Sequence, residues 1–262
     1  MRSDLMTETW RLIASESHRP ERNLAVEEAV LQAVGLGSSP NTVCFYVNEM
    51  SLVLGRFQSA LWEADPSTCR KYGIKILRRI TGGGAVYHDY GNLNYSYIVK
   101  RPHRLLSHDV RSVKRRLQQP VIRVINGLGL HVDFDDRNGL TIRGKRLSGV
   151  ACALKKGVFL LHGTLLVNAQ VGVLTQALNL DRTRMASTQQ RGAVSAVKPV
   201  TTLSRELRKP ISMEEVKKML KNAIVECFKI KLESGLLTTF EVTLSNKLLK
   251  EKYGRPEWNL KM

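Results

Sequence analysis

The chain has 262 residues, 43% of them hydrophobic and 24% charged, which fits a globular domain with a sizeable core and excludes wholesale disorder. Lys and Arg outnumber Asp and Glu by 41 to 23, a formal net charge of +18 that predicts attraction to polyanions without choosing among nucleic acid, nucleotide and acidic protein. No apolar run approaches the roughly 18 residues of a membrane span, and the start MRSDLMTETW lacks an apolar signal core, so the expected location is the cytoplasm. The four cysteines (Cys44, Cys69, Cys152, Cys227) stand far apart with no Cys-x-x-Cys pair, which reads as small buried hydrophobes in a reducing compartment.

In chain order, WRLIAS near residue 10 predicts a strand, followed by a polar connection. Asn23 is a candidate cap for a helix, LAVEEAVLQAV, with Glu27 and Glu28 early, where the helix dipole favours acid; the helix stops at Gly35-Leu36-Gly37. TVCFYV and SLVLGRF read as strands split by a polar turn at Asn48-Glu49. A helical stretch near Asp65 to Tyr72 precedes the strand IKILRRI, which runs into Gly82-Gly83-Gly84, and AVYHDYGNLNYSYIV follows as strand, turn and strand. From Ser107 an apolar stripe predicts a helix kinked at Pro120. LTIRGKRLSGVA reads as a hairpin tipped at Gly144 and Lys145, and VFLLHGTLLVN as a strand buried on both faces. Residues 181–199 are polar and weakly patterned, as in a mobile loop; Ser212 to Glu215 form a capping box opening a helix, and a last helix spans Leu244 to Tyr253. The sum is an α/β class, with mixed sheets and flanking helices.

The segment that carries chemistry is Arg78-Arg79-Ile80-Thr81-Gly82-Gly83-Gly84-Ala85-Val86-Tyr87-His88-Asp89. Three consecutive glycines in strand context are costly unless the backbone must come close to a ligand or another segment. Arginines ahead of the run suit phosphate or carboxylate, and Thr81 and His88 add polar groups beside it. The run is neither a P-loop, which closes in Gly-Lys-Ser/Thr, nor a dinucleotide GxGxxG loop.

RRITGGGAVYHDYGNLNYS resembles the signature of the lipoate–protein ligase A family, in the superfamily of biotin protein ligases and octanoyltransferases. NLAVEEAVL, RGKRLSGVACALKKGVFLLHGTLLVN and KYGRPEWN follow the same family order, so the resemblance covers about residues 10–258. It implies a biotin/lipoate ligase-like fold, one catalytic domain over residues 1–262, and joining of lipoate to an acceptor lysine through lipoyl-AMP, with ATP and Mg2+.

Carried over by residue, the resemblance implies that Arg79 contacts the adenylate, with Thr81, Gly82 and Gly83 lining the adjoining loop. Gly84, Ala85, Val86 and Tyr87 form the nucleotide-binding backbone, and His88 lies near the acyl-adenylate. Lys145 takes the place of the family's essential lysine, touching both the acyl carbonyl and the α-phosphate. Ser148 and Gly149 follow it in the motif, and His162 and Gly163 flank the acyl pocket. For His162 a hydrogen-bonded core histidine stays open as the alternative. The physics agrees: acyl transfer builds charge on the carbonyl oxygen while phosphate leaves, and a held cation stabilises both.

Two departures stand out. Where family members often read Arg-Asn-Asp-Leu, this chain reads Arg137-Asn138-Gly139-Leu140, which leaves the metal ligands unknown, with Asp135 or Asp136 as substitutes. The sequence also ends four residues beyond Trp258, where full-length bacterial ligases continue into an accessory domain, so the expected partner is a separate small ligase subunit needed for adenylation. The expected acceptor is the lipoyl domain of a 2-oxoacid dehydrogenase E2 or a glycine-cleavage H-like protein, usually acidic and so drawn to the basic surface. The alternative enzyme is an ATP-independent octanoyltransferase with Cys152 as nucleophile. Against it, no Pro-Cys-Gly motif follows LHGTLLVN and no cysteine lies from Lys71 to Ala151. A nucleic-acid binder would need aromatic platforms, yet aromatics are 6% and the basic run Lys100–Arg116 has none.

Overall fold

The computed structural model describes residues 8–135, 139–178, 195 and 199–261, so the expected loop at 181–199 and the candidate ligand Asp136 lie almost wholly outside the described residues. Among the described residues eleven strands form two sheets: β1 (Thr9–Ala14), β2 (Thr42–Val47), β3 (Ser51–Leu54), β4 (Lys75–Arg78), β5 (Val86–His88), β6 (Asn92–Lys100), β7 (Asp133–Asp135), β8 (Gly139–Ile142), β9 (Lys145–Lys155), β10 (Val158–Leu166) and β11 (Lys231–Ser234). The large sheet runs in the order β11-β1-β2-β6-β10-β9-β8-β7, and the small one β4-β3-β5. The β11-β1-β2 edge is parallel and the rest of the large sheet antiparallel.

Strand alternation sorts the large sheet into two faces. Leu93, Tyr95 and Tyr97 of β6, with Phe159, Leu161 and Leu165 of β10, face one core, closed by the helices Val110–Leu117, Gln119–Gly127 and Met213–Phe228. Cys44 and Tyr46 of β2, with Val158 and Leu160 of β10, face a second core under the helix Pro20–Leu36. Val53 and Leu77 of the small sheet join that second core, while Leu52, Leu54 and Tyr87 turn away into a third. The small sheet therefore lies over the same face of the large sheet as the Pro20–Leu36 helix.

Several expectations change at this level. Asn23 is no cap, because Pro20 opens the helix with its φ already set, leaving Asn23, Glu27 and Glu28 inside and buried. Their side chains pair across the fold and are not placed by the helix dipole. Pro120 starts a second helix rather than kinking one, with Val110–Leu117 ending before it. The helix expected over Leu244 to Tyr253 begins earlier, at Thr239, where Thr238 and Glu241 make a reciprocal capping box; it continues as a π-helical turn over Leu249–Tyr253, and a short helix, Pro256–Asn259, follows.

The hairpin tip also shifts. Arg143 (φ 50°) and Gly144 (φ 74°) make the turn, and Lys145 is already the first residue of β9. Two residues later the ladder slips: Thr141 pairs with Arg146 but Leu140 with Ser148, so Leu147 is an extra, bulged residue.

Candidate active site

A cavity of about 200 Å3 opens between the two sheets. Leu24 of the Pro20–Leu36 helix, Tyr46 of β2 and Val53 and Val86 of the small sheet give it apolar walls. The glycine loop forms one side and β9–β10 the other, with Arg79, His88, Asn94, Arg146 and His162 as polar groups. An apolar slot ending in cations and neutral donors suits a ligand with a hydrocarbon part and an anionic head.

The two arginines at the head of the signature do different work. Arg78 is fully buried and spends its donors on backbone: Nε on Trp258 O, Nη1 on Gly55 O and Gln58 O, Nη2 on Asn259 O and Lys261 O. It clamps the KYGRPEWN segment beside the glycine loop and does not line the cavity. Arg79 lines it and shapes the loop, donating from Nη2 to Gly82 O (2.7 Å) and Gly84 O (2.8 Å) and from Nη1 to Val53 O (2.9 Å). Burial lowers its pKa to about 10, with Tyr46 and Glu27 opposing the shift. Gly83 is held at φ +88°, where a Cβ would stand 3.1 Å from Arg79 Nη2, so this position requires glycine.

The two histidines sit in fixed and opposite settings. His162 Nδ1 lies 2.8 Å from Glu27 Oε2 and its Nε2 2.7 Å from Thr81 Oγ1. Arg79 Nε donates to that hydroxyl at 2.9 Å, so Arg79, Thr81, His162 and Glu27 form one buried chain of polar contacts. His162 is thus hydrogen-bonded as a core histidine would be and lines the cavity as well. His88 is buried, takes an amide contact from Asn48 on Nδ1 at 2.9 Å, and has no partner on Nε2 among the described residues. Burial first, then Arg79 and His162, hold its pKa down to about 3, so it is neutral at physiological pH.

Of the residues picked out from sequence, Arg79, Gly83, Gly84, Ala85, Val86, His88, Gly149, His162 and Gly163 line this one cavity. Thr81 stands behind it through His162, and Gly82 enters through its carbonyl bond to Arg79. Tyr87 faces the third core on the far side of the small sheet, and Ser148 is buried against Tyr95 Oη. Lys145 is exposed and off the cavity wall, where Arg146 stands instead.

The bulge explains that exchange. Gly149 pairs with Thr164 and Ala151 with His162, both on the cavity face, so unbroken alternation would also put Lys145 there. One extra residue at Leu147 inverts the parity upstream, and Arg146 takes the cavity position. Its guanidinium lies 3.5 Å from Asp135, and Nε is buried without a partner.

All four cysteines are free thiols, and none lines the cavity. Cys152 pairs with Leu161, which faces the opposite core, and burial raises its pKa. Cys44 is buried and its thiol is pushed up to about 12, by burial and then by Glu27. Among the described residues no cluster of three His, Cys, Asp or Glu could hold a metal, and Asp135 is engaged with Arg146. No helix there is long and apolar enough to cross a membrane. Sequence reasoning missed Arg146, Asn94, Ser195, Asn48 and the roles of Asn23 and Glu27. Ser195 accepts from Ala85 N at 2.7 Å and Gln58 Nε2 at 3.0 Å.

Fold and cavity together define an α/β domain with an apolar-walled, arginine-bearing cavity beside a glycine loop. Residues 19–225 match the lipoyl protein ligase A/B catalytic domain, and the chain belongs to that family, within the biotin/lipoate ligase superfamily. It is 30% identical over 278 residues to the octanoyltransferase LipM of Brevibacillus brevis, covering 97% of this chain and 99% of the relative. Among solved structures it is similar to a bi-partite lipoate protein ligase from Thermoplasma acidophilum, described with its E2 lipoyl domain (28% identity, TM-score 0.81, covering 97% and 96%). It is likewise similar to a lipoate-protein ligase A bound with ATP (27% identity, TM-score 0.81, covering 97% and 99%).

Proposed function

We propose that this protein is the catalytic subunit of a lipoate–protein ligase. It activates lipoate with ATP to lipoyl-AMP, releasing pyrophosphate, and passes the lipoyl group to a lysine of an acceptor protein. The observation that carries the reading is a cavity lined by two arginines, a glycine loop and apolar side chains, with no cysteine on its surface. An acyl-adenylate needs cations and backbone donors for its phosphate and carbonyl oxygen, whereas a thioester route needs a thiol in the cavity. The adenylate would lie along Gly83 to Val86, with Arg79 holding the loop and the acyl chain between Leu24, Tyr46 and Val53.

Arg146 takes the part that the resemblance gives to Lys145: its fork can meet the carbonyl oxygen and the α-phosphate together. The acceptor amine attacks the carbonyl carbon, the C–O bond to phosphate breaks, and AMP leaves while the amine loses its proton. Mg2+ would enter with the nucleotide's phosphates, since the described residues offer no metal cluster. A separate small subunit completes adenylation, and a lipoyl domain or H-like protein is the acceptor. The solved bi-partite ligase with its E2 lipoyl domain supports both partners.

The second reading, an octanoyltransferase, rests on the likeness to LipM over nearly the whole chain. The position of Cys152 on the opposite face of β9 opposes it.

The test incubates the purified chain with an apo lipoyl domain and one of three donors: lipoate with Mg-ATP, preformed lipoyl-AMP, or octanoyl-acyl carrier protein. Intact mass of the acceptor reads each. A lipoyl gain from lipoyl-AMP, extended to lipoate and ATP by adding the small subunit, is the expected result. Modification from the carrier protein alone overturns it.

A further inference from the structure

His88 presents an unpaired, buried nitrogen to the cavity, and its protonation state can be read from backbone groups two residues removed. Asn23 Nδ2 lies 2.8 Å from the carbonyl oxygen of Ser17, which can only accept, so that atom is the amide nitrogen. Ser17 N donates to Ser15 Oγ, and Ser15 Oγ donates onward to Asn23 Oδ1 at 2.7 Å, in agreement with that orientation. Asn23 Nδ2 also donates to Asn48 Oδ1 at 2.8 Å. Asn48 must then turn its own NH2 to His88 Nδ1, 2.9 Å away, because the reverse orientation would set two amide donors against each other. Nδ1 accepts, and the ring proton sits on Nε2. All three residues are nine-tenths or more buried, so water does not compete for these bonds.

We propose that Asn48, held by Asn23, is a positioning residue that fixes His88 as an Nε2–H donor to an anionic oxygen of the ligand in the cavity. The anionic oxygen is the shared chemistry of a carboxylate and an acyl phosphate, and this part rests on the function proposed above. Three groups bear on the ring's titration: Arg79 from the end of β4, His162 from β10, and the neutral amide of Asn48 behind. The two basic groups oppose a second proton on His88, so the donor persists unchanged across physiological pH. His162 does not supply the same donor, since both of its ring nitrogens are engaged within the protein, Nδ1 with Glu27 and Nε2 with Thr81. The relay gives a purpose to Asn23, whose side chain neither caps its helix nor reaches the cavity.

The experiment is nitrogen-15 NMR of the histidine rings in the full chain, with His88 assigned by loss of its signals in His88→Gln. The expected spectrum shows protonated Nε2 and bare Nδ1, constant from about pH 5.5 to about pH 8.5. A ring with the proton on Nδ1, or one that titrates in that range, overturns the tautomer assignment without any appeal to activity. Adding lipoate alone or AMP alone then moves the Nε2–H signal: a shift with lipoate places the bond on the carboxylate, one with AMP on the phosphate. A signal moved by neither, under saturation by both, overturns the ligand half.

Asn48→Asp supplies the positioning readout. A carboxylate there draws the proton to Nδ1 and leaves Nε2 a lone pair at high pH, so binding weakens by roughly ten- to a hundredfold at about pH 8. Binding recovers toward about pH 5.5, where the ring charges and Nε2 regains a proton. Affinity in the variant that matches the parent at every pH refutes the positioning role. If that variant fails to fold, the parent's spectra and titrations decide. Failure to lipoylate any acceptor, with the tautomer confirmed, would sink the ligase reading alone.

Discussion

Replacing Arg146 and Lys145 one at a time separates two readings of the same hairpin. Arg146 stands on the cavity wall with its guanidinium 3.5 Å from Asp135, and its Nε is buried without a partner among the described residues. On the function proposed above, Arg146→Ala removes a cation from the cavity wall where the oxyanion would develop. Loss of one such donor is worth about 3–4 kcal/mol of barrier, or a rate lower by about two to three powers of ten. Lys145 is exposed, and Lys145→Ala should change the rate by about twofold or less, as surface changes of under about 0.5 kcal/mol do. Arg146→Lys keeps the charge without the planar fork and should fall between them. The assay is single-turnover transfer from preformed lipoyl-AMP to an apo lipoyl domain, with circular dichroism of each variant as a check on folding. A large loss in Lys145→Ala beside a near-normal Arg146→Ala would refute the inference from the bulge at Leu147.

Three further outcomes follow from the same structure. Cys152→Ser should leave transfer within about twofold of the parent, since the thiol faces the opposite core; inactivation would restore the thioester route. Gly163→Ala should lower the melting temperature by several degrees, because its Cβ would stand 2.4 Å from Tyr95 Oη and overpacking costs about 1–3 kcal/mol; an unchanged melt would show that Tyr95 can yield. Glu28 is buried, which pushes its carboxyl up, but bonds from Lys155 (2.8 Å), Lys252 (2.6 Å) and Tyr253 (2.7 Å) outweigh this and lower its pKa. A depressed pKa stabilises above the ordinary carboxylate range and loses that stability as pH falls through the folded value. Glu28→Gln should therefore cost about 2 kcal/mol at pH 7, by denaturant unfolding, with the gap to the parent closing below about pH 4. A gap independent of pH would contradict the ion pairs.

What the sequence determined on its own was local and modular. Strand alternation and breakers placed most of β1 to β10, because period-two apolar patterns and glycine or proline stops act within a few residues. The glycine run with Arg79 and His88 was legible as a site because three glycines have a high entropic cost without a reason for close approach. Glu27, Glu28, Asn23 and Asn48 were visible only as polar residues near a helix start and a turn. The partners of Glu27, Glu28 and Asn48, which are His162, Lys155 and His88, lie from 40 to 135 positions away along the chain, and no local pattern encodes such a pairing. Thr238 with Glu241 is a different kind of miss, since the capping-box spacing was present in the sequence and was passed over. The bulge changes the lining of the candidate site most. Motif spacing and unbroken alternation both favour Lys145, but one extra residue at Leu147 moves Arg146 to the cavity face, and only the pairing of Thr141 with Arg146 beside Leu140 with Ser148 reveals it. Side-chain direction in a sheet has period two, so a single unpaired residue inverts every assignment upstream, and only the partner strand decides where that residue falls.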